Sequence, residues 1–267
     1  MIERDFPFMT GGWLTPRFQP RIWGSLDLRA WYPERGLEGE PIGEAWLSAP
    51  AAPVLVKMLF PRERLSVQVH PDDAYAAAHG LGRGKSEAWY VIEAASGATL
   101  GVGLVAGATA RDLEIACRAG RGAEMLDWIP VAPGEVINIP AGTVHAIGGG
   151  VVLLEAQQDS DNTFRLDDYG RGRELHLDHG LAVARATTAG GRVRRPATGP
   201  ILETPFFTLQ EHAMPAEWRI APAPMPRWFA DIGKKSLRRG HLLDLPAGEG
   251  FKGVGATTLI EIQLGTA

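Results

Sequence analysis

Residues able to do chemistry gather in two short runs. In Leu65-Ser66-Val67-Gln68-Val69-His70, polar and apolar residues alternate. Successive side chains of a strand point to opposite faces, so Ser66, Gln68 and His70 share one. An exposed strand face is the ordinary reason for such a pattern. Here the neighbouring run is nearly all apolar and Pro71-Asp72-Asp73 follows at once, so the polar face is expected to turn inward. In Gly84-Lys85-Ser86-Glu87-Ala88-Trp89-Tyr90, Lys85 and Glu87 stand two apart and share a second strand face. An amide oxygen, an imidazole and a carboxylate are donors suited to a borderline divalent cation.

The elements that must position these groups are mostly strands. Val54-Leu55-Val56-Lys57-Met58-Leu59-Phe60, Trp89-Tyr90-Val91-Ile92, Val136-Ile137-Asn138-Ile139 and Val151-Val152-Leu153-Leu154-Glu155 are strand-length apolar runs bounded by Gly, Pro or Asp. Two segments break the rhythm. Asp72-Asp73 followed by Ala74 to His79 and Gly80 has the acidic start and glycine stop of a short helix. The stretch from Thr109, an expected N-cap, to Leu126 predicts one or two helices broken near Gly120 and Gly122. Many strands and few helices predict a mainly β sandwich or barrel with small helical insertions. Residues 190–200, rich in Gly, Arg and Pro, are expected to link residues 1–189 to a smaller β domain at 201–267. Arg192, Arg194 and Arg195 are expected to be solvated connector residues, and His212 and His241 to lie on the surface or in loops.

The 267 residues are 45% apolar and 22% charged, enough to bury one large core or two modest ones. A net charge of -4 offers no bulk attraction to nucleic acid or anionic membrane, so an anionic substrate must meet a local cluster of cations. One cysteine, Cys117, cannot form an internal disulfide. The charged opening, Met1 to Asp5, leads into no apolar run of signal-peptide length, and no stretch is long enough to span a bilayer. A cytoplasmic protein is expected, and oligomeric state is left open.

In Gly134-Glu135-Val136-Ile137-Asn138-Ile139-Pro140-Ala141-Gly142-Thr143-Val144-His145, the spacing of Gly, Pro, Gly and His resembles the second motif of the cupins. In those jelly-roll barrels the histidine points inward as a metal ligand. Four runs in order, Leu65 to Asp73, Gly84 to Tyr90, Ile139 to Ala146 and Glu155 to Arg165, then resemble the zinc-dependent, cupin-type mannose-6-phosphate isomerases in their short bacterial form. The likeness covers about residues 20–170, with weaker agreement at Ile22-Trp23-Gly24 and Ile42 to Trp46. It implies a cupin barrel followed by a smaller, degenerate cupin-like domain. It also implies one zinc ion per chain on Gln68, His70, Glu87 and His145, with Mn, Fe or Co able to use the same ligands.

The implied reaction interconverts mannose 6-phosphate and fructose 6-phosphate through a cis-enediol. Arg165, closing Asp161-Asn162-Thr163-Phe164-Arg165, would stabilise charge on the two oxygens. Lys85, whose ammonium pKa is expected to fall beside the implied dication, would move the proton or contact a phosphate or hydroxyl. Glu155 would move the proton or orient Arg165, and Ser66 would contact a hydroxyl or phosphate or simply line the barrel. Ser25 stands where a second Gly is usual, and Ile147 where larger members carry an aromatic hydroxyl. Other readings are a different metal-dependent cupin enzyme on a sugar or sugar phosphate, and a non-catalytic sugar-phosphate-binding cupin. The absence of a His-x-His pair argues against the dioxygenase type.

Overall fold

The structure, a computed structural model, describes residues 12–35, 39–49 and 52–265. The charged opening and the outermost residues of the two expected domains lie outside that range. Two antiparallel sheets enclose the chemistry. The seven-stranded one runs, in spatial order, Gly191–Arg192, Val136–Ile139, Glu87–Ala94, Val151–Gln158, Val54–Leu59, Ile42–Leu47 and Arg17–Ser25. The five-stranded one runs Phe164–Asp167, Val67–Val69, His145–Ile147, Thr99–Leu104 and Leu126–Pro130. A third sheet, six-stranded, is built from Gly12–Trp13, Leu242–Leu245, Arg227–Asp231, Thr257–Leu264, Phe207–Met214 and Leu202–Glu203.

Period-two alternation assigns each strand residue to a layer. Ala88, Tyr90, Leu154, Ala156, Val56 and Met58 leave the seven-stranded sheet outward, into a core shared with Phe207, Leu209, Trp228, Ile260 and Ile262 of the third sheet. Trp89, Val91, Leu153 and Leu59 point the other way and meet Leu100, Val102 and Ile147 of the five-stranded sheet. Strands buried on both faces read as continuous apolar runs, which accounts for Val54–Leu59. The outer face of the five-stranded sheet, with Val67, Val69, Ala146, Phe164 and Leu166, is roofed by Leu113 and Cys117 of helix α2 (Ala110–Arg118) and Val183 of helix α3 (Leu177–Val183). With Val67 and Val69 outward, Ser66, Gln68 and His70 are left facing in, as their alternation predicts.

Helix α1 (Asp73–Ala78) starts on the Asp72 carboxylate, which accepts the Tyr75 N–H, and stops before Gly80 at φ +67°. Helix α2 begins in a capping box between Thr109 and Asp112, and a 3₁₀ turn, Gly122–Met125, follows the break. Two short strands bear on the expected linker and domain limits. Gly191–Arg192 pairs with Ile137 and Asn138, and Gly12–Trp13 pairs with Leu243 and Asp244 of the third sheet. Arg192, Arg194 and Arg195 are exposed, as expected of a solvated connector, and two of them are ion-paired: Arg192 meets Glu135 at 3.0 Å and Arg195 meets Glu211 at 2.7 Å. His212 keeps part of its side chain at the surface. It lies half-buried on the Phe207–Met214 strand with Nε2 2.6 Å from Glu261, a partner that hydropathy patterning cannot reveal. His241, in a loop, packs half-buried on the Tyr32 ring. No described helix is long and apolar enough to cross a membrane.

One close approach fixes the Lys85-Ser86-Glu87 run. A Cβ on Gly84 would lie 2.5 Å from the Asp72 carbonyl carbon and the Asp73 nitrogen, and Lys85 N–H donates to the Pro71 carbonyl at 2.9 Å. Glycine is therefore required where this run crosses the start of α1. Gly84→Ala is expected to lower stability by about 1–3 kcal/mol through forced backbone displacement. Urea unfolding measures it, and an unchanged midpoint would show that the crossing yields freely.

Candidate active site and metal centre

Two rows of facing residues build the site, one from each sheet. On the seven-stranded sheet Trp46, Lys57, Glu155 and Trp89 are direct cross-strand partners and so share a face. On the five-stranded sheet Arg165 stands opposite Gln68, and Gln68 opposite His145. The rows meet where the Trp89 and His145 rings lie 5.4 Å apart, edge to face. Between them is a cavity of about 390 Å³ whose walls include Ser66, Gln68, Lys85, Glu155 and Arg165.

His70, Glu87 and His145 come together behind that wall, fully buried, with candidate donor atoms within 4.8 Å of one another. Glu87 oxygens lie 3.3 Å from His70 Nε2 and 3.4 Å from His145 Nε2, yet none of these four atoms makes a hydrogen bond. The other ring nitrogens explain why. His70 Nδ1 faces the Asn162 carbonyl at 2.9 Å and His145 Nδ1 the Thr143 carbonyl at 2.8 Å. A carbonyl can only accept, so each Nδ1 carries the proton and each Nε2 presents a lone pair. Burial, reinforced by the Lys85 charge, holds His70 down at about 3; His145 is lowered too, again chiefly by burial. Two lone pairs thus confront a carboxylate.

Local chemistry makes this arrangement rigid. Gly142, at φ +84°, lets the Pro140–Thr143 turn form, and its N–H donates to the His70 carbonyl at 2.9 Å. Next to it, Ala141 N–H donates to Ser86 Oγ at 3.1 Å. One turn therefore ties together the segments carrying His70, Glu87 and His145. Asn162, whose carbonyl orients His70, is itself held by its side-chain amide on the Leu81 and Arg83 carbonyls at 2.8 and 2.7 Å.

The charged groups around the cavity are mostly paired. Burial would raise the Glu87 carboxyl, but Lys85 at 3.1 Å and the two imidazoles bring it well below the carboxylate range. Burial would lower the Lys85 ammonium; attraction to Glu87 and Glu155 overcomes this and raises it. In the protein alone Lys85 therefore moves opposite to the direction expected beside a dication, because two carboxylates face it. Glu155 is pushed up to about 7, first by burial and then by the Glu87 charge. Its oxygens meet Lys57 Nζ at 3.4 Å and Trp89 Nε1–H at 3.2 Å. Arg21 grips Glu44 with two hydrogen bonds of 3.0 and 3.1 Å. Arg165 meets no carboxylate at ion-pair distance among the described residues, and its buried Nε lacks a partner.

Sequence reasoning passed over Lys57, Arg21, Glu44 and Arg173, which also line the cavity, and gave no role to Asp161 and Thr163, which line it too. Lys57 left a readable signal, being the one charge in a strand buried throughout, three residues into Val54–Leu59. Such a charge needs a buried partner, and Glu155 is it. Arg173 left none, since it lies in the polar run Arg171-Gly172-Arg173-Glu174, and Arg21, between Pro20 and Ile22, has nothing in its local sequence to name Glu44 as its partner.

No family model matches the chain. Among curated proteins it is 41% identical over 216 residues to the mannose-6-phosphate isomerase of Streptococcus mutans, covering 73% of this chain and 68% of that protein. It is 36% identical over 193 residues to mannose-6-phosphate isomerase ManA of Bacillus subtilis, covering 67% and 59%. Among solved structures, the Bacillus subtilis mannose 6-phosphate isomerase superposes with a TM-score of 0.84 at 25% identity, over 96% of this chain and all of that one. A mannose 6-phosphate isomerase bound with zinc and yttrium superposes at 0.74 with 15% identity, a likeness of fold over 97% of this chain. The mainly β architecture is therefore the cupin type that the motifs imply. With 68% of the Streptococcus mutans protein matched at 41% identity, the chain belongs to the mannose-6-phosphate isomerase family.

Proposed function

We propose that this chain interconverts mannose 6-phosphate and fructose 6-phosphate by moving a proton between C1 and C2 through a cis-enediol. The observation that carries the reading is the buried Glu87 carboxylate facing two imidazole lone pairs beside a cation-lined cavity. That donor set fits a divalent ion, with zinc the natural occupant, held by His70, Glu87, His145 and, from the cavity wall, Gln68. When bound, the ion supplies positive charge that lowers the energy of negative charge developing on the sugar's carbonyl oxygen. Because only one ligand is anionic, the centre keeps a net positive charge and favours a phosphorylated sugar.

The chain's own residues do the rest. Glu155, with a carboxyl that titrates near neutrality, is matched to taking a proton from carbon and returning it to the neighbouring carbon. Lys57 and Trp89 hold its two oxygens and so fix the direction in which it reaches. Lys85, kept protonated by Glu87 and Glu155, is suited to donating hydrogen bonds to sugar oxygens. Arg165 turns an uncommitted guanidinium toward the vicinal oxygens, where a planar fork suits an enediol and its charge is not spent elsewhere. Ser66, buried on the cavity wall, offers a hydroxyl to the sugar or its phosphate. We place the two-part division near residues 190–200, where the regular pairing of the catalytic barrel gives way to the third sheet.

Chelation followed by gel filtration is expected to abolish turnover in a coupled mannose 6-phosphate assay, and zinc to restore it. His145→Ala should bind less than about a tenth of the metal bound by the wild type, since loss of an imidazole ligand opens the site. Stoichiometric metal in that variant, or turnover indifferent to chelator, would contradict the reading.

Glu155→Gln tests the proton. Since the carboxylate form prevails above about 7, kcat/KM should fall as pH drops through that value in the wild type. The amide variant should lose about 10²–10⁴-fold in kcat and show no such acid limb. An intact limb in the variant would show that Glu155 is not the group whose ionisation limits turnover.

A further inference from the structure

Arg165 is held by one short segment at three points. His176 N–H donates to the Arg165 carbonyl at 2.8 Å, and Arg165 N–H donates to His176 Nδ1 at 3.1 Å. Arg165 Nη1 donates to the Glu174 carbonyl at 2.6 Å. His176 thus brackets the Arg165 backbone from both sides, while its neighbour two residues back fixes one edge of the guanidinium. Arg165 also lines the cavity, and its buried Nε makes no hydrogen bond.

The position of His176 makes this use of its side chain notable. It stands at the N-cap of helix α3, where Ser, Thr, Asp or Asn would ordinarily satisfy the first free N–H groups of the helix. Its side chain makes no such bond. It gives its one acceptor to Arg165 instead. The loop between the Phe164–Asp167 strand and α3 is braced so that this geometry persists. Asp168, buried, accepts from Arg171 Nη2 at 2.7 Å and Arg173 Nε at 2.8 Å, and Arg171 reaches the Arg64 carbonyl at 2.9 Å. Both neighbouring arginines are engaged by this one carboxylate, so that of the three only Arg165 has no carboxylate partner among the described residues.

We infer that His176 is a positioning residue, whose neutral imidazole holds Arg165 in the orientation that addresses the substrate's vicinal oxygens. The inference rests on the role proposed above for Arg165 and adds the group through which that role is set. Acceptance at Nδ1 requires the neutral ring with its proton on Nε2. Protonation would remove the acceptor and place a second cation against Arg165. Burial first, and then the charge of Arg165, keep the imidazole pKa below its ordinary value; Glu174 opposes and His179 adds to the lowering. His179, on α3, is in turn held by the Tyr75 hydroxyl of α1 at 2.9 Å and stacks on Phe164, whose ring meets that of His176 edge to face at 6.5 Å.

The test uses the full, zinc-loaded chain. A misplaced catalytic group costs up to about 100-fold in rate, so His176→Ala should lower kcat by about 10–100-fold with KM changed less than about threefold. In an Arg165→Ala background the same substitution should cost less than about threefold, because residues acting as one unit are not additive. An equal loss in both backgrounds, or a change confined to KM, would overturn the inference. The second readout needs neither a variant nor turnover. In ¹⁵N–¹H spectra the Arg165 amide proton should shift with the same midpoint as the His176 ring, below the ordinary histidine range. An Arg165 amide indifferent to that titration would overturn the inference even in an active enzyme. If the amide follows the ring while mannose 6-phosphate is not turned over, the bracket stands and the proposed reaction fails.

Discussion

The structure turns on an electrostatic demand that the protein's own atoms leave unmet. Glu87 is buried with two imidazole lone pairs facing its oxygens, and Lys85 is its only cationic neighbour at contact distance among the described residues. Unpaired buried polar atoms cost several kcal/mol, and natural proteins keep very few without purpose. A cation between the three groups resolves all of them together. The surroundings also prevent the cheaper escape, which would be to turn the rings. Each Nδ1–H is fastened to a backbone carbonyl, and the Gly142 turn fastens those backbones to one another. The geometry is therefore held ready by the fold and does not have to be assembled by the ion.

A polar interior of this kind needs stability from elsewhere, and the third sheet supplies it. The seven-stranded sheet has an inner row that spends burial on Lys57 and Glu155. Desolvating such a pair offsets much of its mutual attraction. Its outer row, Val56, Met58, Ala88, Tyr90, Leu154 and Ala156, is wholly apolar and is covered by Phe207, Trp228, Ile260 and Ile262. Each large side chain so buried contributes about 1.5–3 kcal/mol. The C-terminal part, which presents no candidate chemistry of its own in the sequence, thus lets strands of the catalytic barrel carry charge on one face.

How much of this could be read from residues alone follows from the range of each interaction. Alternation in Leu65 to His70 is local, and it placed Ser66, Gln68 and His70 on the inward face where they are found. The caps at Asp72 and Thr109 are local as well, and both helices begin there. Lys57 is visible as the one charge in an apolar run, but the meaning of that charge depends on a partner 98 positions away, a register only the folded sheet supplies. In the 190–200 segment the exposed arginines follow from composition, whereas the short Gly191–Arg192 pairing and the Arg192 ion pair leave no periodic trace. His176 was invisible for another reason. Its acceptor serves a backbone N–H, and backbone partners have no sequence signature.

Charge pairing around the cavity bears on which anions the site accepts. Arg21 is committed to Glu44, Lys57 to Glu155, Lys85 to Glu87, and Arg171 and Arg173 to Asp168. Arg165 remains without a carboxylate partner among the described residues, and Asp168 balances only one of its two arginines, of which Arg173 also lines the cavity. Uncompensated positive charge is therefore concentrated on the Arg165 side of the cavity. Ile147 on the cavity wall carries no hydrogen-bonding group, whereas Ser66, Asp161 and Thr163 add uncharged and anionic polar groups to that wall. Ser66 lies next to the Val67–Val69 strand and Asp161 and Thr163 precede the Phe164–Asp167 strand, so these polar groups gather on the side of the cavity where Arg165 is held.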